Sequence, residues 1–221
     1  MTAKLVIGNK TYSSWSMRPW LLMRVLEIPF DELVLPLYAP ETRQAIDRLS
    51  PAGKVPILID GGVTVWDSLA IIEYLAERHP ERGVWPSDPV ARARARSLAA
   101  EMHAGFLSLR RAMPMNLSRT PKRLKLDAAV RKDVEADVRR IEAAFAEAKD
   151  QFGGGGPFLF GRFCAVDAMY APVLSRFHTY AVGLTAATQT YMDAVKALPA
   201  WGDWAAGAAA EGWRVERFEV A

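Results

Sequence analysis

A proline-rich segment at residues 80–89 divides this chain into two parts with different hydrophobic periodicities. Before it, short β-rich runs alternate with helical runs, whereas the long patterns that follow it have helical spacing. The segment holds three prolines and one glycine, a composition typical of a linker between domains. We therefore predict an amino-terminal domain over 1–80, a linker over 81–89 and an all-helical domain over 90–221.

The amino-terminal part is predicted to follow the order β-α-β-α-β-β-α. It begins with a βαβ unit, and the Gly61-Gly62 pair between two apolar runs predicts a hairpin. Asp67 or Ser68 is expected to cap the last helix of this part, which ends before Pro80. The predicted strands are 4–7, 32–36, 56–60 and 63–66, and the predicted helices are 17–26, 40–49, 67–78, 90–113, 127–152, 166–180, 191–197 and 201–210.

The segment Tyr12–Trp20 places three serine hydroxyls, those of Ser13, Ser14 and Ser16, between the first strand and the first helix. Free backbone N–H groups and the positive end of the helix dipole favour a negative charge at such a turn. A serine hydroxyl there can donate a hydrogen bond to a thiolate. Simple capping of the helix is the alternative, and it explains one serine more readily than three.

Composition excludes several classes of protein. A hydrophobic content of 51% in a chain of 221 residues indicates a folded protein and not a disordered one. The net charge of +3 comes from basic residues mixed with acidic ones and without interleaved aromatic residues, so nucleic-acid binding is not expected. The single cysteine, Cys164, excludes an intrachain disulfide framework and fits a reducing compartment. No apolar run approaches the length of a membrane span, so we expect a soluble, cytoplasmic protein with no membrane partner.

Three motifs in order resemble the soluble glutathione transferases: Ser-Ser-x-Ser-x-Arg at the first helix, the segment Ser50–Pro56 before the third strand, and Asp67-Ser68 at the following helix. The likeness covers essentially the whole chain, and the serine turn is most similar to the zeta and tau classes. It implies an α/β thioredoxin-like domain followed by an all-α domain. It also implies glutathione as co-substrate, no metal and a homodimer.

Within this resemblance, two serines compete for the role of thiolate donor. Ser13 lies five residues before Arg18, the spacing of the activating serine in the tau and zeta patterns. Ser14 lies four residues before it, the spacing of the theta and delta patterns. We place Ser13 first and keep both as candidate catalytic residues.

The other two motifs would hold glutathione itself. Lys54 matches the group that binds the glycyl carboxylate, and the backbone of Val55 before a cis Pro56 matches the group that pairs with the cysteinyl part. Asp67 and Ser68 match the pair that binds the γ-glutamyl end. Each has a structural alternative: a solvated lysine, a proline at a strand start and an ordinary helix cap.

The second substrate is expected between the domains. Trp15, Met102, His103 and Phe106 are the candidates for an electrophile pocket, together with Met113 and Met115, although such stretches more often form core. In the box Gly161–Asp167, which resembles the helix-initiating box of the family, Cys164 replaces the usual hydroxyl residue. We therefore assign Cys164 a structural role.

The expected activity is conjugation of glutathione thiolate to a hydrophobic electrophile, an alkyl or aryl transfer reaction important in detoxification. A glutathione-dependent cis–trans isomerase of a maleyl-type diacid is the enzyme alternative, although Trp15 and Met17 stand where zeta members carry Cys and Trp. A non-catalytic binding module is the alternative from another class, and the retained glutathione motifs oppose it.

Overall fold

A mixed four-stranded sheet forms the centre of the amino-terminal domain in the computed structural model, which describes residues 2–220. The sheet order is β2-β1-β3-β4, where β1 and β2 are parallel and the other neighbours antiparallel. The order along the chain is the predicted β-α-β-α-β-β-α. The strands are β1 (Ala3–Gly8), β2 (Phe30–Leu35), β3 (Ile57–Asp60) and β4 (Val63–Val65), and the helices are α1 (Ser14–Val25), α2 (Pro40–Leu49) and α3 (Ser68–Arg78).

Strand β1 is buried on both faces. Its successive side chains point to opposite sides of the sheet, and each side is covered. Leu5 and Ile7 belong to the large core that also contains α1 and α3. Val6 points the other way and packs with Ile46 of α2 and Ile57 of β3. The sheet is therefore covered by helices on both sides, and the end of β1 is fixed where the serine turn begins.

The remaining chain is helical after a short 3-10 turn at Pro80–Arg82. Helix α7 is buried along almost its whole length and packs against α4 and against α1 of the first domain. No helix within residues 2–220 is both long and apolar enough to cross a lipid bilayer. The helices are α4 (Pro89–Ala104), α5 (Leu107–Ala112), α6 (Ala128–Phe152), α7 (Ala165–Thr179), α8 (Ala186–Lys196) and α9 (Pro199–Ala210).

The predicted single helix over 90–113 is wrong, since two helices with a sharp turn between them occupy these residues. Helix α4 ends where the N–H of Gly105 donates to the carbonyl of Glu101 at 2.7 Å. Phe106 then adopts a left-handed conformation with φ of 56°, and its ring packs 6.3 Å from that of Tyr170. Apolar spacing alone does not reveal this break, because Phe106 is buried as the helical pattern requires.

At the start of α7, Cys164 occupies the cap position and is almost fully buried. The N–H of Cys164 donates to Oδ2 of Asp167 at 2.9 Å, and the hydroxyl of Tyr191 donates to Oδ1 of the same carboxyl at 2.9 Å. Burial raises the pKa of Asp167 to about 6 and raises that of the Cys164 thiol well above its ordinary value. The acidic half of the capping box is thus present, and the thiol takes the place of the usual hydroxyl.

We expect the free energy of unfolding of Cys164→Ser to exceed that of Cys164→Ala by about 0.5–2 kcal/mol. A hydroxyl at this position can accept a hydrogen bond from the first turn of α7, and a methyl group cannot. Chemical denaturation of the two variants measures the difference. Equal stability, or a more stable alanine variant, would show that Cys164 acts only by filling space.

Candidate functional site

The serine turn lies between β1 and α1, as the sequence predicts. Ser13 is the residue before the helix and is buried, and Ser14 is the first helical residue and is half-buried. The N–H of Ser13 donates to the carbonyl of Asn9 at 2.8 Å, which closes the turn. Both serines line a cavity of about 590 Å³ between the two domains.

A pair of hydroxyls is buried behind this turn. The hydroxyl of Ser13 donates to Oγ of Ser16 at 2.7 Å, and Oγ of Ser16 also accepts a hydrogen bond from the N–H of Gly8 at 3.1 Å. Because a hydroxyl can rotate and can both donate and accept, the direction of the Ser13–Ser16 bond can reverse when an acceptor binds in the cavity, so that Ser16 donates to Ser13 and the hydrogen of Ser13 is free. Ser16 is thus placed to orient Ser13.

The residues before the serines are anchored by the carboxyl-terminal part of the chain. Oε1 of Glu211 accepts from the N–H of Lys10 at 2.5 Å, and Oε2 accepts from the N–H and the hydroxyl of Thr11 at 3.0 and 2.9 Å. The indole N–H of Trp204 donates to the carbonyl of Lys10 at 3.0 Å. Glu211 was not among the residues predicted from the sequence, because it has no local motif around it.

The cavity has a basic lining, and none of the residues that line it within 2–220 is acidic. The first domain contributes the serine turn, the start of α2 with the loop before it, and the segment before β3 to this lining. The second domain contributes residues of α5, of α7 and of the end of the chain. Its charged lining residues are Arg43, Lys54, Arg110, Arg111, Arg176 and Arg217, and its apolar ones include Leu37, Ile46, Leu107, Met115 and Phe218.

The segment before β3 presents backbone to this cavity. Lys54 is exposed and, together with Val55, lines the cavity. The Val55–Pro56 bond is cis, as the resemblance implies. The backbone of Val55 forms no hydrogen bond with any other part of residues 2–220. Its N–H and C=O are available to an extended peptide, which can pair with them as a strand would.

Asp67 and Ser68 lie at the start of α3, outside the lining of the cavity. Oδ1 of Asp67 accepts from the N–H of Leu69 at 2.8 Å, so this residue is the helix cap. Oδ2 lies 3.5 Å from Nε2 of His103. The hydroxyl of Ser68 is buried and has no hydrogen-bond partner among the described residues.

The six residues proposed from the sequence for the electrophile pocket are divided by the structure. Trp15 and Met115 line the cavity. Met102, Phe106 and Met113 belong to the core instead: α4 turns the face of Met102 towards α7, and the ring of Phe106, in the turn after α4, packs against Tyr170 of α7. His103 packs its ring edge against Trp15, 5.2 Å between centroids, and does not line the cavity.

The arginines that the second domain adds to the cavity were not among the residues predicted from the sequence. Arg110 and Arg111 have no acidic residue three or four positions away on α5, which is the signal that distinguishes them from a solvated helix face. Arg176 likewise has no acidic residue three or four positions away on α7, so the same signal marks it.

Burial and mutual repulsion lower the pKa values of the arginines in and behind this wall of the cavity. Burial, together with the positive charges of Arg176 and Arg110, lowers the pKa of Arg18 to about 9. Burial and the charge of Arg110 lower the pKa of Arg176 to about 10, and burial lowers that of Arg110. Within residues 2–220, no group of three or more His, Cys, Asp or Glu side chains is arranged to hold a metal ion.

Two family models match this chain on either side of the linker. Residues 12–78 match the amino-terminal domain of glutathione S-transferase, and residues 131–207 match its carboxyl-terminal domain. The chain belongs to the glutathione transferase family, and its fold is the thioredoxin-like domain plus helical domain that the resemblance implied.

Individual relatives agree with this assignment. A probable maleylacetoacetate isomerase of Caenorhabditis elegans is 32% identical over 48% of this chain and 50% of its own length. A maleylacetoacetate isomerase of Pseudomonas aeruginosa is 37% identical over 52% of this chain and 56% of its own length. The chain thus spans about half the length of these curated relatives. A glutathione transferase homologue from Burkholderia gl BGR1, solved with bound glutathione, has a TM-score of 0.71 and 20% identity, and covers 96% of this chain and 100% of its own.

We expect Glu211→Gln to lower the free energy of unfolding by about 1–3 kcal/mol, because an amide directs donors at backbone N–H groups that need acceptors. Glu135→Gln is the control, since Glu135 is exposed. Denaturation measures stability, and hydrogen exchange should show faster exchange at the amides of Lys10 and Thr11. A Glu211 variant as stable as the control would contradict an anchoring role.

Proposed function

We propose that this protein binds glutathione in the basic cavity, stabilises its thiol as thiolate, and adds the thiolate to an electrophilic small molecule. The observation that supports this proposal best is the hydrogen-bonded pair of Ser13 and Ser16 at the start of α1, in the wall of a cavity that can hold the peptide. Location in the cytoplasm and assembly as a homodimer are parts of the same proposal and rest on the family.

Groups in the lining of the cavity, and others outside it at the start of α3, fit the parts of glutathione. In our proposal, Lys54 binds the glycyl carboxylate and the free backbone of Val55 pairs with the cysteinyl residue. The buried, unpaired hydroxyl of Ser68 and the first N–H groups of α3 receive the γ-glutamyl carboxylate. Asp67 carries the negative charge suited to the ammonium group of that residue.

One serine hydroxyl can donate a hydrogen bond strong enough to stabilise the thiolate of glutathione. An ordinary thiol titrates near pH ~8.5 and is mostly protonated at pH 7. Lowering its pKa by about two units requires ~2.7 kcal/mol. One hydrogen bond to a charged group supplies about 1.5–3 kcal/mol, and the helix terminus adds ~0.3–1 kcal/mol. Ser13 with its partner Ser16 is our first choice, and Ser14 is the rival because it is more accessible from the cavity.

We predict that Ser13→Ala lowers kcat/KM by about ten- to a thousand-fold near pH 7 and raises the pKa of the bound thiol. Ser16→Ala should move the same pKa in the same direction by less, since it acts through Ser13. Ultraviolet titration of the bound thiolate measures both effects. Ser97→Ala, at an exposed position of α4, is the control.

If Ser14→Ala is the damaging change, the rival assignment holds. An unchanged thiol pKa in both the Ser13 and the Ser14 variants would exclude a serine mechanism. Calorimetry that detects no binding at millimolar glutathione would favour the non-catalytic binding module.

Cis–trans isomerisation of a maleyl-type diacid is the second candidate function. Two relatives are named maleylacetoacetate isomerase, and a cavity lined by cations suits a diacid. The chemistry begins with the same thiolate: sulfur bonds to one alkene carbon, the π electrons move into the adjacent carbonyl, the new single bond rotates, and the thiolate leaves again. Glutathione is regenerated.

The count of free thiol separates the two functions. With maleylacetoacetate and less than one equivalent of glutathione, an isomerase should convert all of the cis diacid to the trans diacid while the free thiol stays constant. A transferase should consume one thiol for each molecule of product. Proton NMR of the diacid and titration of free thiol measure both, and the absence of any trans product above the enzyme-free rate would rule out the isomerase.

A further inference from the structure

A second cavity, of about 460 Å³, lies within the helical domain. It is lined by residues of α7, α8 and α9 and by the segment 117–121, which follows α5. Its volume falls in the range of small-molecule sites, about 300–1,000 Å³. It shares no lining residue with the cavity between the domains, so a ligand here is independent of glutathione.

The charged residues that line this second cavity within 2–220 are all basic. Arg119 comes from the segment after α5, His178 from α7 and Lys196 from α8. No carboxylate oxygen of residues 2–220 lies within 4 Å of a basic nitrogen of these three side chains. Three basic side chains from separate parts of the fold thus meet at one cavity without a partner of opposite sign.

The helix dipoles account for two of these residues separately but not for their meeting. His178 and Lys196 lie in the last turns of their helices, where the negative end of the dipole favours a positive charge. Burial lowers the pKa of His178, and the charge of Lys196 lowers it further, because the two side chains are close. Burial also lowers the pKa of Lys196.

One acidic residue acts on both groups from a distance. The charge of Asp193 opposes the lowering of the pKa of His178 and of Lys196. Its Oδ1 accepts a hydrogen bond from Nε2 of Gln189 at 2.9 Å, and it does not line the cavity. An anion inside the cavity would compensate the two cations more directly.

Arg119 is held at the cavity with donors to spare. Its Nη1 donates to the carbonyl of Val220, and its guanidinium carbon lies 5.4 Å from the ring centre of Tyr180. Its Nε is buried and has no hydrogen-bond partner among the described residues. These contacts position the side chain and use only part of the five N–H donors of a guanidinium.

Neutral donors and an apolar surface complete the lining. Ser175 lies three residues before His178 and four before Thr179, a spacing that places all three on one face of α7. Both hydroxyl residues are buried and line the cavity. Residues of α9 form the apolar part of the lining, namely Trp201, Ala205 and Ala209.

We propose that this cavity binds a small phosphate monoester, with its phosphoryl group among Arg119, His178 and Lys196 and its organic part against Trp201. A phosphoryl group carries about −1.5 to −2 charges at pH 7 and three strong acceptor oxygens. It can therefore accept from cations and hydroxyls that approach from different directions, whereas a carboxylate has one charge and two oxygens. The indole and the two alanines leave space for a flat apolar group.

The test uses phenyl phosphate as the probe and proton NMR of the histidines as the readout. The chain has three histidines, and His178→Gln identifies the signal of His178 by its loss. Phenyl phosphate should shift that signal to saturation and raise the pKa measured from it, because a bound dianion favours the protonated imidazole. The signals of His79 and His103 should not move, since neither residue lines this cavity.

Calorimetry with the same probe measures affinity. Lys196→Gln should weaken the binding of phenyl phosphate by about ten- to a hundred-fold, through loss of a charged donor. Lys132→Gln, at an exposed position of α6, is the matched control and should leave the affinity unchanged. Phenyl sulfate, with the same shape and a single negative charge, should bind more weakly than phenyl phosphate, and so should inorganic phosphate, which lacks the ring.

Three results would overturn the site as proposed. The first is a His178 signal that stays in place at millimolar phenyl phosphate, or an equal loss of affinity in the Lys196 and Lys132 variants. The second is equal affinity for phenyl sulfate, which would indicate general attraction of anions. The third concerns the source of the phosphoryl group: vesicles of phosphatidylcholine and phosphatidic acid should not sediment the protein, and sedimentation that Lys196→Gln abolishes would assign the cations to a lipid surface instead.

Discussion

The hydrogen bonds from the carboxylate of Glu211 to the turn at Lys10 and Thr11 determine where the serines lie. A turn after a strand has several unpaired N–H groups, and a carboxylate that accepts two of them fixes the backbone. These groups are about 200 residues apart in the chain. The first domain therefore carries the serines, and the second domain holds their turn in place.

Helix α1 connects this local contact with the rest of the fold. It packs against α3 in its own domain and against α7 and α9 in the other, so it belongs to the cores of both. Its first turn lines the cavity, and Arg18 on its next turn is enclosed beside α7. A displacement of either domain would therefore move the proposed thiolate donors and the arginines that line the cavity together.

Local patterns in the sequence were enough to predict the order of the elements in the first domain and the position of the serine turn. Leu5, Val6 and Ile7 alternate as a doubly buried strand must, and Asp67 is the cap that its residue type implies. Local patterns failed where the answer depends on distant residues. Met102 has the same spacing whether α4 faces a cavity or α7, and no local pattern connects Glu211 with Thr11.

The arginines that line the cavity have a consequence for the thiol in the proposed function. At an effective dielectric constant of about 20, a full positive charge about 8 Å from a thiolate stabilises it by ~2 kcal/mol. This is as large as the contribution of one charge-assisted hydrogen bond, about 1.5–3 kcal/mol. We therefore expect the field of Arg110 and Arg176 to add to the stabilisation that the serine turn supplies.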